Sequence, residues 1–395
     1  MTKAIENLVN QEEKIINVKS VEQLLSSTSL NISRILDKAL EEKEITVEEG
    51  IELFKANPAK DLNAIMLTAN ELRRRAVGDT ITYVKTRNIN FSNVCYTGCK
   101  FCAFAASEKD EDAYFVPLGE ISQRAKDAWD IGATEVCIQG GLHPKIDGTY
   151  YHEILRSIKN VVPHMHIHAY SPFEIKFGAW KQGVTIEEHL KSLKDAGLDT
   201  IPGTAAEILD TEIRQQLTKD KLSAEEWVHI VKTAHKLGIR STSTMMYGHI
   251  DGPEHWANHI GILREIQKET GGFTEFVPLG FVHYNTKLFN ELGSRAGSTG
   301  IEDIMVTAVS RIMLYKWIDN IQVSWVKNGP KSCQIILNAG ANDFGGTLMD
   351  ETISRSAGAP FGENMDPKEF DRLIRDLGRT PAVRNTLYEI LEYPK

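Results

Sequence analysis

The chain is first informative for what it lacks. It contains no run of about 18 apolar residues, which removes a membrane-spanning helix. The start, Met1 to Gln23, is polar and charged and has no apolar stretch of the kind a secretory leader needs. Long basic runs are also missing. Leu72-Arg73-Arg74-Arg75 is too short for a nucleic-acid footprint, and the formal net charge is −9, which argues against nucleic acid as a partner. Cysteine is scarce and odd in number, with five in 395 residues, which excludes a disulfide framework. These absences predict a cytoplasmic protein that binds neither membrane nor nucleic acid. There is no low-complexity segment and no clear interdomain linker. With 42% apolar and 25% charged residues, the chain has the material for a large core without staples.

What is present divides into three parts. Residues 1 to about 30 read as a polar extension, and Ile32 to Val77 follows a helical pattern with a capping box at Thr46-Val-Glu-Glu49. Together these predict an N-terminal helical extension over residues 1–78. From residue 79 to 350 a unit repeats: a β-rich run, a helical run, a glycine stop. Thr185-Ile-Glu-Glu188 and Ser223-Ala-Glu-Glu226 open helices that end at Gly197 and Gly238. Residues 351–395 are expected to form a helical segment packing on the barrel. Eight β-rich runs are countable: Ile89–Ser92, Glu135–Gln139, His164–Ala169, Thr200–Pro202, Arg240–Tyr247, Phe273–Pro278, Asn320–Trp325 and Ile335–Asn338. The pattern predicts an α/β fold, a TIM-type (β/α)8 barrel, with a doubly wound open sheet as the alternative.

Three of the five cysteines fall within eight residues, as Cys95-Tyr-Thr-Gly-Cys99-Lys-Phe-Cys102. Three thiolates in one loop can hold three irons of a 4Fe-4S cluster and leave the fourth iron open to an outside ligand. The methionine end of S-adenosylmethionine (SAM) is such a ligand. The spacing, and Phe101 before the last cysteine, resemble the radical SAM enzymes. Two alternatives stay open: a Cys3His zinc site with His143 or another loop histidine as fourth ligand, and a simple iron–sulfur carrier. Cys137, inside an apolar strand, and Cys333 read as core residues.

Polar residues gather after the strands, where parallel α/β folds carry their sites. Gln139, Gly140 and Gly141 are candidates for holding SAM, the glycines because a bare backbone permits close approach. Glu207 is a further cofactor candidate, able to meet ribose hydroxyls or the SAM amino group, and Phe101 is counted with them. His143, His168, Tyr247, His249 and His283 are candidates for proton transfer or hydrogen bonding to a polar substrate. His166 and His168 share one face of a strand. Thr204, Glu275, Asn342 and Asp343 are substrate-binding candidates. Trp256, Trp317, Trp325 and Met245-Met246 read as packing residues.

The longer runs carry a resemblance. They are Arg87-Asn-Ile-Asn-Phe-Ser-Asn-Val-Cys95, Cys137-Ile-Gln-Gly-Gly-Leu-His-Pro144 and His166-Ile-His-Ala-Tyr-Ser-Pro172. With them go Ile201-Pro-Gly-Thr-Ala-Ala-Glu-Ile-Leu209, Thr244-Met-Met-Tyr-Gly-His249, Gly271-Gly-Phe-Thr-Glu-Phe-Val-Pro-Leu279 and Asn342-Asp-Phe-Gly-Gly-Thr-Leu-Met349. From about Leu62 to Tyr388 the sequence is similar to the second-subunit family of FO synthase, in deazaflavin (coenzyme F420) biosynthesis. Related menaquinone-pathway enzymes, aminofutalosine synthase and cyclic dehypoxanthinyl futalosine synthase, share many of these runs; Glu275-Phe-Val-Pro and Ile321-Gln-Val-Ser-Trp-Val326 look closer to FO synthase. The resemblance implies a transferase using a three-cysteine 4Fe-4S cluster and SAM. Its substrates would be L-tyrosine and 5-amino-6-(D-ribitylamino)uracil. FO synthase subunit 1 and an electron donor would be its partners. The implied chemistry breaks the Cα–Cβ bond of tyrosine, joins the 4-hydroxybenzyl fragment to the uracil, and releases 2-iminoacetate.

Overall fold

The computed structural model describes residues 28–218 and 220–395. The expected polar extension lies mostly outside these residues. Among the described residues three helices lead in, Leu30–Leu40, Val47–Phe54 and Pro58–Val77. The second begins with the capping box read from sequence: Thr46 Oγ1 accepts from the Glu49 amide at 3.2 Å, and Glu49 accepts from the Thr46 amide at 2.7 Å. Leu36, Leu53, Ile65, Ala69 and Leu72 bury one face of this helical layer. It packs on helices Pro253–Thr270 and Gly300–Leu314.

The chain then builds strands β1 (Thr80–Val84), β2 (Thr86–Asn90), β3 (Glu135–Gln139), β4 (His166–Ala169), β5 (Thr200–Ile201), β6 (Arg240–Tyr247) and β7 (Phe273–Gly280). Strands β2 to β7 form one parallel sheet in sequence order. A second sheet has the order β10-β9-β1-β8, with β8 at Asp343–Gly346, β9 at Thr380–Arg384 and β10 at Ile390–Glu392. The two sheets meet at both seams. β1 runs into β2 through Lys85, and Ile321–Gln322 bridges Phe276 of β7 to Asp343 of β8. The result is a curled, largely parallel half-barrel of the α/β kind that the strand–helix repeat predicts, with the second sheet beside it.

Three expectations are corrected. Asn320–Trp325 is not a strand: it makes only isolated bridges at Ile321 and Gln322 before helix Trp325–Asn328 begins. Ile335–Asn338 is not the eighth strand; it belongs mostly to helix Pro330–Leu337. Pro330 sits in the first helical turn, where its missing N–H costs nothing, and Cys333, Ile336 and Leu337 face inward at helical spacing while Ile335 stays exposed. Asp343–Gly346 takes the eighth place. The C-terminal segment is also not purely helical. After helices Ile353–Ser356 and Pro367–Asp376 it adds β9 alongside β1 and then β10, antiparallel. Phe370 stacks on Tyr83 at 4.8 Å, and the Tyr83 hydroxyl donates to Asp371. Among the described residues no helix is long and apolar enough to cross a membrane.

Candidate active site

The cysteine loop leaves the C-terminal end of β2 and is folded by its own backbone. Asn93 staples it: its side-chain Nδ2 donates to the Asp112 carbonyl at 2.9 Å, its side-chain oxygen accepts from the Tyr114 amide at 2.8 Å, and its backbone carbonyl accepts from the Ala106 amide. The Cys95 amide returns a bond to the Ala106 carbonyl. Gly98, at φ +60°, makes the turn that brings Cys99 back toward Cys95. Thr97 Oγ1 sits between them, 3.2 Å from Cys95 Sγ and 3.4 Å from Cys99 Sγ. Thr218 Oγ1 touches Cys99 Sγ from the other side at 3.5 Å.

All three cysteines line one cavity of about 270 Å³. Burial, with the neighbouring Cys99, pushes the Cys102 thiol up to about 11, so its ionised form needs a cation beside it. Among the described residues, no group of three or more His, Cys, Asp or Glu side chains is drawn together as a single-ion cage would require. Sulfur is the donor that the irons of a cluster prefer. His143 is not in this cavity. It faces a neighbouring depression with Phe115 and Lys145, and its Nδ1 accepts from the Lys145 amide. Three thiols with no histidine beside them in the cavity are a donor set that suits a three-thiolate iron–sulfur cluster.

Gln139, Gly140 and Gly141 border the cavity next to the loop. The packing gives the two glycines a reason of its own. A Cβ at Gly140 would meet the Phe91 ring at 2.5 Å, and one at Gly141 would meet the Val94 carbonyl oxygen at 2.3 Å. The glycines let β3 close against the root of the cysteine loop. The Gly141 amide donates to the Ser92 carbonyl at 2.7 Å, which locks that contact.

The Gly140 amide donates to Glu174 at 3.0 Å. Glu174 also accepts from the Ser171 amide and hydroxyl, closing a capping box on helix Pro172–Gln182. Burial raises its pKa to about 7 against these hydrogen bonds. Gln139 donates to Thr204 Oγ1 at 3.0 Å. The segment from Thr204 to Glu207 holds an uncommon backbone, with Ala205 at φ +63° and Glu207 at φ +45°. Arg214, 5% exposed, donates to the carbonyls of Ala205, Ala206, Ile208 and Leu222 and fixes it. The Glu207 carboxylate pairs with Lys221, whose ammonium lies 4.9 Å from the centre of the Phe101 ring.

Of the expected site residues, Cys95, Cys99, Cys102, Phe101, Gln139, Gly140, Gly141, Thr204 and Glu207 share this cavity. The others stand elsewhere. Tyr247 donates to Asp303 at 2.8 Å within the wall. His249 is fully buried; its Nδ1 accepts from the Ile250 amide, so Nε2 donates to the Met246 carbonyl. His283 packs on Tyr284 and Phe289. His168, like His166, meets Thr200 Oγ1, inside the lower half of the barrel. Glu275 accepts from the Tyr388 hydroxyl at 2.6 Å, Asp343 is gripped by Arg384 at 2.6 and 3.0 Å, and Asn342 is held by Arg311 and the Ile321 amide. Cys137 lies in β3 with burial raising its thiol, and Cys333 is buried in helix Pro330–Leu337.

The cavity also holds residues the sequence reading passed over: Thr97, Glu174, Lys221, Lys327 and Ser354. Ser171-Pro-Phe-Glu174 carries the capping-box spacing, a signal that could have drawn attention to Glu174. The two lysines carry no such signal.

Comparison with known proteins agrees with this geometry. The chain matches the family described as the radical SAM superfamily over residues 89–262, and the CofH/MqnC C-terminal region over residues 270–395. It is 53% identical over 354 residues to the 5-amino-6-(D-ribitylamino)uracil–L-tyrosine 4-hydroxyphenyl transferase of Methanocaldococcus jannaschii, covering 89% of this chain and 98% of that one. The transferase of the same name from Methanopyrus kandleri is 51% identical, with 87% and 93% covered. FO synthase of Streptomyces coelicolor is 50% identical over 87% of this chain but only 40% of its own length. Among solved structures, methylornithine synthase (PylB) superposes with a TM-score of 0.69 at 19% identity, covering 88% of this chain and 97% of that one. The FeFe-hydrogenase maturase HydG from Carboxydothermus hydrogenoformans gives 0.71 at 18%, covering 98% and 86%. At such identities these two likenesses bear on the fold alone.

Proposed function

The chain belongs to the family of 5-amino-6-(D-ribitylamino)uracil–L-tyrosine 4-hydroxyphenyl transferases within the radical SAM superfamily, and from that premise we propose that it catalyses this transfer in deazaflavin biosynthesis. The bond broken is Cα–Cβ of L-tyrosine. The bond formed joins the 4-hydroxybenzyl carbon to the ribityl-diaminouracil, and the rest of the amino acid leaves as 2-iminoacetate. A 4Fe-4S cluster and SAM, when bound, supply the 5′-deoxyadenosyl radical that starts the reaction.

Cys95, Cys99 and Cys102 would hold the cluster. Gln139, Thr204 and Glu207, on the same side of the cavity, are the groups able to bind the amino and hydroxyl groups of SAM. The observation that carries the reading is the meeting of three thiols and these polar groups in one cavity, at the strand end where such folds act, in a chain half identical to named transferases. Walls of this kind also exclude water and stray hydrogen donors. A relative in which a similar sequence fills 40% of a longer FO synthase supports a partner that takes the product onward, the role of FO synthase subunit 1.

The test is which small molecule triggers SAM cleavage. Reconstituted, reduced protein should form 5′-deoxyadenosine with tyrosine and the ribityl-diaminouracil together. Cleavage triggered instead by a futalosine-type nucleoside would move the protein to the menaquinone-pathway branch.

A further inference from the structure

The cavity has two unlike sides. The ends of β2 to β5 bring thiols, a glutamine and carboxylates. The ends of β6 and β7, and the helix Ile353–Ser356, bring Met246, Leu279, Phe281, Val282, Ile353 and Ala357. On that apolar side only two described side chains are polar: Lys327 and Ser354. Lys327 rides on the short helix Trp325–Asn328, which is anchored by the buried Trp325 indole donating to the Gly346 carbonyl at 2.9 Å. The Lys327 ammonium donates to Ser354 Oγ at 2.6 Å. Glu351 in turn holds the Ser354 amide.

The two cavity lysines differ in one respect. Lys221 has its counterion, Glu207. Among the described residues, no carboxylate lies within ion-pair distance of Lys327; Glu351 and Glu207 act on it only at longer range, while burial pushes its pKa down. A cation drawn into an apolar wall without a paired anion is costly unless a ligand brings one. The aliphatic and aromatic surface around it suits a flat apolar body attached to that anion.

We propose that Lys327, assisted by Ser354, docks the carboxylate of the amino-acid substrate, with its aromatic ring against Leu279, Phe281 and Ile353. The inference rests on the tyrosine reading above. One other carboxylate could reach the site, that of the methionine end of SAM, and the test separates the two.

The experiment is equilibrium binding to the anaerobically reconstituted protein, with L-tyrosine, tyramine (which lacks the carboxylate) and SAM as separate probes. Wild type should prefer tyrosine to tyramine. Lys327→Gln should weaken tyrosine binding about 10- to 100-fold, the loss expected for a charge-assisted hydrogen bond, and leave tyramine and SAM unchanged. Lys327→Arg should restore most of the preference. Should Lys327→Gln fail to fold, Ser354→Ala reads the same site through a several-fold loss for tyrosine and none for tyramine. Unchanged tyrosine binding in the variants overturns the proposal, as does a loss confined to SAM. A wild type that binds no tyrosine overturns the tyrosine reading as well, whereas a wild type that binds it as tightly as Lys327→Gln overturns this inference alone.

Discussion

The two ends of the barrel are both rich in polar groups, yet they are built on opposite terms. At the C-terminal end, the three thiols, Lys221 and Lys327 and the side chains of Gln139, Glu174 and Glu207 line an open cavity. At the other end, the returning C-terminal segment fills the interior. Arg384 grips Asp343 and lies 3.6 Å from Glu275, the Tyr388 ring lies 4.0 Å from the Arg384 guanidinium, and Thr386 donates to Glu135 at 2.5 Å. Polar residues of similar type thus make a site at one end and a sealed plug at the other. Both sets are held by partners from the chain; the difference lies in whether the space they line is filled by the chain or left as a cavity.

The comparison can be broken from either end. The largest effect is expected for Cys99→Ala, which leaves too few thiolates to hold the cluster. Bound iron and 5′-deoxyadenosine formation should fall to background while the fold persists, since Cys99 is partly exposed in a loop. Full activity in this variant would refute the assignment of the loop. Arg384→Met attacks the plug instead. It strands Asp343 and Glu275 as buried carboxylates and should cost about 3–5 kcal/mol in urea unfolding, with no change in iron bound per folded molecule.

Gly141→Ala probes the seam between strand and loop. A Cβ 2.3 Å from a carbonyl oxygen cannot be accommodated by a side-chain rotation. The variant should lose about 1–3 kcal/mol and part of its iron. Gly119→Ala, in helix Leu118–Asp130 with open space around it, is the control and should gain a few tenths to about 1 kcal/mol.

The smallest effect per group concerns pH. Burial lowers the pKa of His168, His189 and His235 to about 4 and of His259 to about 3. The folded state therefore refuses protons that the unfolded chain accepts below about 6.5. The histidine contribution to stability should be constant above that pH and fall as pH drops from about 6.5 toward 4, by on the order of 1–2 kcal/mol per histidine at pH 5. Glu174 and Glu275, raised by burial to about 7, add stability in the opposite sense as pH falls through 7. Denaturant midpoints measured from about pH 6 to 5, where the four histidines outweigh the two carboxyls, check the sign. A rise in stability from about pH 6 to 5 would contradict it.

Much of this architecture was legible in the chain. The capping boxes at Thr46, Thr185 and Ser223 form as read, and the glycine stops at Gly197 and Gly238 take positive φ. The cysteine loop stands at the end of β2, where the spacing placed it. What misled was height along a strand. Glu275 is the third residue of the eight-residue β7, and Asp343 begins β8, so both point into the lower barrel. Sequence shows that a residue is near a strand end more readily than which end. Their partners, Arg384 and Tyr388, lie over 40 and over 110 residues away in sequence from Asp343 and Glu275, respectively, and no local pattern announces them. Lys221 and Lys327 were illegible for a related reason: a lone lysine in a polar stretch looks like surface until tertiary packing buries it.

The central claim is tested most directly by anaerobic turnover with ring-labelled L-tyrosine, SAM, a strong reductant and 5-amino-6-(D-ribitylamino)uracil, read by mass spectrometry. The account predicts 5′-deoxyadenosine together with a uracil adduct that carries the labelled hydroxybenzyl group. Deoxyadenosine without any labelled adduct would contradict it, leaving a radical SAM core with another substrate.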